Sequence, residues 1–539
     1  MKMHTWIAAA ALLLSSTAFA QTPPVAGGGC TPGAHTFCVL NTADAGTGSL
    51  RQAIADSNTV GGANTIGFAI PTNPVGPTPQ TITLASALPA IDPNGTVTSL
   101  TVDGTSQLGS VLNTNAPDQG GLTTKLMIEI VGSNGNGFFY NCCAVPYKTL
   151  TFQGLALHGF NTPIFGQTSG FTPKAKFNVY GCFIGTKIDG TALSTQGNSG
   201  TAIDPYFDEA QIGGVQPWQR NLISGNSSGI STFGANATVV IEGNLIGTDI
   251  TGTVPVPNIS YGISLNEDWP GTRVGCTGSG CTDAHASSRN VISGNGGLAI
   301  HVQTNGTSPG GAQIKGNVIG TDWTGTKPLP NGPAGGNCPS TYCGGIETIG
   351  FGSAPALIVG GFNPGEANVI AYNNGPGIWN NPNSATSNTS ASFDNRGNVV
   401  HGNAGVDVGF QYGWLANDPG DADTGVNNKQ NFPVIQSAHV SSGQLIVTYS
   451  VDSTTANSSY PLRIDFYVDI DEGSGEFLVS DSYPAASAQA ARTVTLALPA
   501  DAQSPVGFVA SATDKNGYSS EFSPSYVFDR IFADRFEGH

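Results

Sequence analysis

The chain has 539 residues, of which 74 are Gly and 34 Pro, and only 10% are charged, against roughly 25% in an ordinary soluble domain. Long helices need charged i,i+4 faces and few glycines, so this composition excludes a generic helical protein and points to many short strands joined by turns. The 36 acidic residues outnumber the 19 basic ones for a net charge of −17, which repels a phosphate backbone and excludes nucleic acid as a partner.

In chain order, residues 1–20 read as a signal peptide, with a basic start at Lys2, an apolar run from Trp6 to Leu14 and the small-residue ending Ala18-Phe19-Ala20 before Gln21. No later segment approaches the ~18 apolar residues a spanning helix requires. The expected product is therefore secreted or held at the cell surface, with no membrane span. Nine cysteines suit an oxidising compartment. Cys30 with Cys38, Cys276 with Cys281 and Cys338 with Cys343 read as loop staples, and Cys142, Cys143 and Cys182 leave one thiol over.

Residues 61–416 are organised by an internal repeat. Ile241-Glu-Gly-Asn-Leu-Ile-Gly-Thr-Asp249 returns as Ile314-Lys-Gly-Asn-Val-Ile-Gly-Thr-Asp322, with a shorter relative at Cys182-Phe-Ile-Gly-Thr186. These alternate with Asn221-Leu-Ile-Ser-Gly-Asn226, Asn290-Val-Ile-Ser-Gly-Asn295, Asn368-Val-Ile-Ala-Tyr-Asn373 and Asn398-Val-Val-His-Gly-Asn403. Each is followed by a second strand signal, which puts Ile203, Ile230, Ile263, Ile300, Ile346, Ile378 and Val406 at equivalent positions. A unit of this length, with several short strands and no helical period, is one coil of a solenoid. Asn221, Asn244, Asn290, Asn317, Asn368 and Asn398 should then stack at a bend and bond amide to amide, a structural role that satisfies their polar groups.

The repeated Asn-Φ-Ile-Ser-Gly-Asn and Gly-Asn-Φ-Ile-Gly-Thr-Asp units resemble right-handed parallel β-helix proteins, the architecture shared with pectate lyases, over roughly residues 35 to 430. The opening Gly46-Thr-Gly-Ser-Leu-Arg-Gln-Ala-Ile54, followed by Ala63-Asn-Thr-Ile-Gly-Phe68 and Gln80-Thr-Ile-Thr-Leu84, is similar to the N-terminal segment of exported bacterial β-helix proteins. The resemblance implies an all-β fold with an N-terminal cap region at 21–60, in which a helix from Ser49 to Asn58 covers the first coil and hides its open edge. It does not transfer an activity. The calcium and arginine base of pectate lyases and the clustered aspartates of polygalacturonases have no counterparts at matching positions, and the architecture also serves adhesins.

Residues 417–429 read as an Asp/Gly-rich linker. Beyond it, over 430–529, the runs at 444–449, 462–468, 493–498 and 506–512 alternate like strands of a small β-sandwich, similar to the immunoglobulin-like modules that follow such helices. The tail at 530–539, with Ile531-Phe-Ala-Asp-Arg-Phe-Glu537, resembles a short C-terminal signature of exported bacterial proteins.

Strand alternation sends the repeated Ile inward and the next residue outward. This gives an outward column of Asp204, Ser231, Ser264, His301, Glu347, Trp379 and Asp407. Beside it runs Tyr206, Phe233, Asn266, Gln303, Ile349, Asn381 and Gly409. Aromatic rings beside polar groups form a platform for sugar rings, so Trp379, Asp204, Tyr206, Phe233 and Asn266 are the expected substrate-binding residues for an extracellular polysaccharide or cell-surface glycan. Glu347 and Asp407, two coils apart, would have Cα atoms about 9.6 Å from each other. That separation suits the two carboxylates of an inverting hydrolase, with His301 tuning Glu347. Glu267 and Asp268 are rival acids. Lys and Arg are scarce on this face, which favours a neutral polysaccharide over a uronate.

One cofactor is expected. Asp421, Asp423 and Asn427 place hard oxygen ligands around a Gly in the linker, a loop chemistry that suits structural Ca²⁺, and Asp469 to Glu476 has a similar pattern. Gly-x-Ser-x-Gly and His-Glu-x-x-His motifs are absent, against a protease or nuclease. The sequence reading is a secreted β-helix that binds and in one version cleaves polysaccharide, as a hydrolase or lyase. Its rival is a non-catalytic surface scaffold or adhesin. A groove closed by the loops at 267–289 and 323–344 would favour the enzyme.

Overall fold

The computed structural model describes residues 21–527, apart from 93–94, 141–147, 168–174, 207, 234–237, 267–270, 277–287, 305–310, 334–342, 351–356, 382–391, 411–413, 471–472 and 499–506. The expected signal peptide, the C-terminal tail, Glu267, Asp268 and, in the two loops expected to close a groove, residues 267–270, 277–287 and 334–342 lie outside the described residues.

Among the described residues the chain winds into a parallel β-helix with three sheets, named here I, II and III. Sheet I has eleven strands, from Thr36–Val39 to Phe393–Arg396; sheet III has nine, from Phe138–Tyr140 to Val408–Phe410. Sheet II has fourteen, of which the last four belong to the C-terminal sandwich. The first strand of sheet I precedes the helix Leu50–Val60, so the β-helix begins inside the segment expected to be only a cap.

Each coil sends apolar side chains inward from its sheets, one from each short strand of sheet II and up to two from the longer strands of sheets I and III, and like stacks on like. In sheet II the register aligns Ile82, Ile130, Leu157, Ile184, Ile223, Ile246, Ile292, Ile319, Ile370 and Val400. In sheet III it aligns Ile164, Ile203, Ile230, Ile263, Ile300, Ile346, Ile378 and Val408. Nearly all are fully buried, each contributing about 1.5–3 kcal/mol.

The bends are held by two asparagine ladders. Asn221, Asn244, Asn290, Asn317, Asn368 and Asn398 form the expected one between sheets I and II, each Nδ2 donating to the next Oδ1 at 2.9–3.0 Å. A second runs from Asn198 through Asn226, Asn258, Asn295, Asn331 and Asn373 to Asn403 at 2.8–2.9 Å, between sheets II and III. In alternate coils the bend widens into the Gly-Thr-Asp loop, whose Asp is a turn former: Asp249 Oδ1 accepts from Thr251 Oγ1 at 2.7 Å and Val254 N at 3.2 Å. Gly247 must be glycine, because its φ is +90° and a Cβ there would lie 2.4 Å from Ser293 O.

Both ends are closed. At the start, Ser49 Oγ caps the helix by accepting from Gln52 N, and Leu50, Ala53 and Ile54 enter the core. At the other end the sandwich packs Tyr467, Val509 and Phe522 into that same core, and its strand Gly473–Tyr483 pairs antiparallel with the last coil at Val400–Ser474. The segment expected to be a linker is part of this junction. Val426 is buried in the core, and Asn427 donates to Phe393 O and Ser519 O. The sandwich's other sheet holds Val434–Ser441, Gln444–Ser450 and Arg492–Ala497, with a core of its own between the two sheets.

The Cys30–Cys38 disulfide is present. Cys276 and Cys343 are also disulfide-bonded, while the partners expected for them, Cys281 and Cys338, lie outside the described residues with Cys142 and Cys143. Cys182 is a buried free thiol, whose pKa burial pushes up to about 12.

Candidate functional site

The three faces of the solenoid differ in what they offer. Part of sheet II's outer face is covered by a crossing segment, in which Leu122 and Leu126 pack on Phe183, Leu222, Leu245 and Val291, and Arg220 donates to Asn115 O and Gly243 O. Sheet I carries paired charges, among them Arg273 with Glu242 and Arg396 with Asp394. Sheet III, like the solenoid strands of sheet II, contains no Lys or Arg, and its outer face carries the aromatic and polar columns.

The register of sheet III places Asp204, Ser231, Ser264, His301, Glu347 and Trp379 in one outward column, as the alternation requires. Pairing extends that column toward the N-terminus through Phe165 and Phe139, which sequence reading missed. Their rings stack with centroids 5.5 Å apart and planes 11° from parallel. In the adjoining column Tyr206 stacks on Phe233 at 5.3 Å and 23°, and Phe233 is 39% exposed. Asp204 shapes this corner: its Oδ1 accepts from Tyr206 N at 3.0 Å, closing a tight turn that holds Tyr206 at φ 52°. Asn266 lies in register with Phe233 and donates to Ser231 Oγ at 3.3 Å and Ser264 Oγ at 3.2 Å. Burial raises the Asp204 carboxyl pKa to about 6.

The other half of the column is closed. Glu347 is fully buried, and His301 and Trp379 are 5% and 2% exposed, so Trp379 offers no open ring to a sugar. The Glu347 carboxylate is satisfied from both sides, by His301 Nδ1 at 2.7 Å and Asn381 Nδ2 at 2.7 Å, and the His301 ring stacks on Tyr261 at 5.1 Å.

Asp407 does not take its expected place. In the last coil Val408, not Val406, lies beside Ile378, and Gly409 stands opposite Trp379. The two-residue shift follows from the second ladder: Asp407 ends it, its Oδ1 accepting from Asn403 Nδ2 at 2.7 Å and Asn403 N at 3.3 Å. The carboxylate pair Glu347–Asp407 is therefore not assembled in the column. Asp204 is four rungs from Glu347, about 19 Å by strand spacing, against the roughly 5–9.5 Å that glycosidic cleavage by two carboxylates requires.

The metal expectation changes by one ligand. Asp421 and Asp423 come together with Asp418, their carboxylate oxygens within 4.8 Å of one another, whereas Asn427 turns away to Phe393 and Ser519. Asp418 Oδ1 and Asp423 Oδ1 are buried without hydrogen-bond partners. Asp421 is held by Ser458 Oγ at 2.6 Å and Gln430 Nε2 at 2.7 Å, and burial raises the pKa of both Asp421 and Asp423. Lys429 Nζ lies 3.3 Å from Asp423 Oδ2. In the second acidic loop residues 471–472 lie outside the described residues, and Asp469 accepts from Ser525 Oγ.

Compared with known protein families and with curated proteins, the chain matches none.

Proposed function

We propose that the protein is an exported β-helix that binds an extracellular polysaccharide or cell-surface glycan on the outer face of sheet III, without cleaving it. The observation that carries this reading is the pair of stacked aromatic pairs, Phe139–Phe165 and Tyr206–Phe233, on either side of Asp204. Sugars dock by their C–H faces on such rings while neighbouring polar groups take the hydroxyls. Asn266, Ser231 and the exposed Gln303 provide those groups. The closed setting of Glu347 and the displacement of Asp407 favour a binding scaffold over a hydrolase or lyase. Glycan-array binding of the wild type beside Phe165→Ala and Phe233→Ala tests it: loss in the variants supports the face, and unchanged binding moves the site elsewhere.

The same reading includes a structural Ca²⁺ held by Asp418, Asp421 and Asp423. Three clustered carboxylates, two with unpartnered buried oxygens, fit a hard cation that would neutralise them. Its place beside the junction means that it would brace the sandwich against the last coil.

A further inference from the structure

Charge narrows the ligand. Sheet I carries Lys176, Arg273, Lys315 and Arg396 in its strands, with Lys148 buried against Asp92, whereas the solenoid strands of sheets II and III carry no Lys or Arg. A uronate or sulfated chain would therefore meet no counter-charge from these strands, while the protein as a whole, at −17, repels a polyanion and draws in a polycation.

Asp204 is the specific feature. Besides the single bond from Tyr206 N, it has no Lys, Arg or His partner among the described residues. Its raised pKa is that of a carboxylate taken from water without a cation in exchange. Phe165 is its in-register neighbour on one side, and Tyr206 stands two residues on, in the turn that follows the strand, stacked on Phe233. A carboxylate among aromatic rings attracts an ammonium group twice, by direct Coulomb attraction and through the ring quadrupoles.

We infer that the glycan taken by this face is an amino-sugar polysaccharide with free amines, its ammonium at Asp204 and its pyranose rings against Phe165 and Phe233. This rests on the glycan-binding reading above and specifies its chemistry. The protonated amine supplies the positive charge that Asp204 lacks, and N-acetylation would remove both that charge and two donors.

The test is calorimetric titration of the full chain at physiological salt with β-1,4-linked hexamers of glucosamine, N-acetylglucosamine, glucose and galacturonate. The glucosamine hexamer should bind about tenfold more tightly than its acetylated form. Asp204→Asn should shrink that preference to about threefold or less, and Phe165→Ala should weaken binding of both hexamers. Equal or tighter binding of the acetylated or glucose hexamer overturns the inference and leaves the glycan-binding reading standing. An undiminished preference in Asp204→Asn also overturns it, since bulk charge would then be the cause. Binding to none of the four hexamers, with no hit on the glycan array, removes the glycan-binding reading itself.

Discussion

Asn290 Nδ2 donates to Asn317 Oδ1 at 2.9 Å, and Asn290 Oδ1 accepts from both Asn244 N and Asn244 Nδ2, at 2.9 and 3.0 Å. One side chain thus ties three successive coils, in a setting where it is fully buried. Asn290→Ala leaves a donor and an acceptor unmet on its neighbours, and each such loss costs about 1–3 kcal/mol. The expected destabilisation is about 3 kcal/mol in denaturant unfolding, with faster amide exchange at 244 and 317. A loss below about 1 kcal/mol would mean that the ladder follows the fold rather than holding it.

Glu521 sits at the junction, nearly fully buried, accepting from Phe410 N at 3.2 Å and Leu415 N at 2.8 Å. Burial raises its pKa from 4.5 to about 7. The folded state therefore favours the proton. This contribution to stability is complete below the unfolded value near 4.5 and is lost as pH rises through about 7, by roughly 3 kcal/mol in all. Melting from pH 5 to pH 8 should fall more steeply for the wild type than for Glu521→Gln. Parallel slopes would assign the pH dependence to other groups.

Calcium should raise the melting temperature and a chelator should lower it, with the shift growing with ion concentration as linkage requires. Asp423→Asn should erase most of the shift. If the wild type melts identically with Ca²⁺ and with chelator, Lys429 is the only cation the cluster needs.

Glu347→Gln tests whether the buried pair with His301 is structural. The variant keeps a hydrogen-bonding amide but loses the charge, so it should remain folded, unfold about 1–3 kcal/mol more easily, and bind glycan with unchanged affinity. A polysaccharide whose reducing ends are released by the wild type and not by this variant would return Glu347 to a catalytic role.

What could be read in the sequence was whatever recurs with the coil. The first asparagine ladder and the inward Ile column stand inside a short motif, so counting from it found them. Asn258 and Asn331 of the second ladder escaped because the Gly-Thr-Asp loop separates them from the motif. Phe139 and Phe165 lie in coils that precede the recognisable repeats, where nothing marks the register. Asp407 was misplaced because the last coil is offset, ending a ladder in place of continuing it. The enclosure of Glu347 and Trp379 was illegible for another reason: alternation tells which face a side chain leaves from, not whether that face is open. In the linker, Asp418 stands outside the alternating pattern that begins at Asp421, and backbone turning brings it in from before.

The antiparallel contact at Val400–Ser474 has a consequence for assembly. Among the described residues every strand pair of the solenoid before it runs parallel, and at this rung the polarity reverses. Ser474 Oγ reinforces the reversal, donating to Asn398 O and accepting from Val400 N. In sheet II a further coil, from this chain or from a neighbour, would need a parallel edge of matching register, and that edge is already met by a strand of the wrong direction. With the first coil covered by its helix and sheet II closed by the sandwich strand, continuation of sheet II past the last coil is blocked.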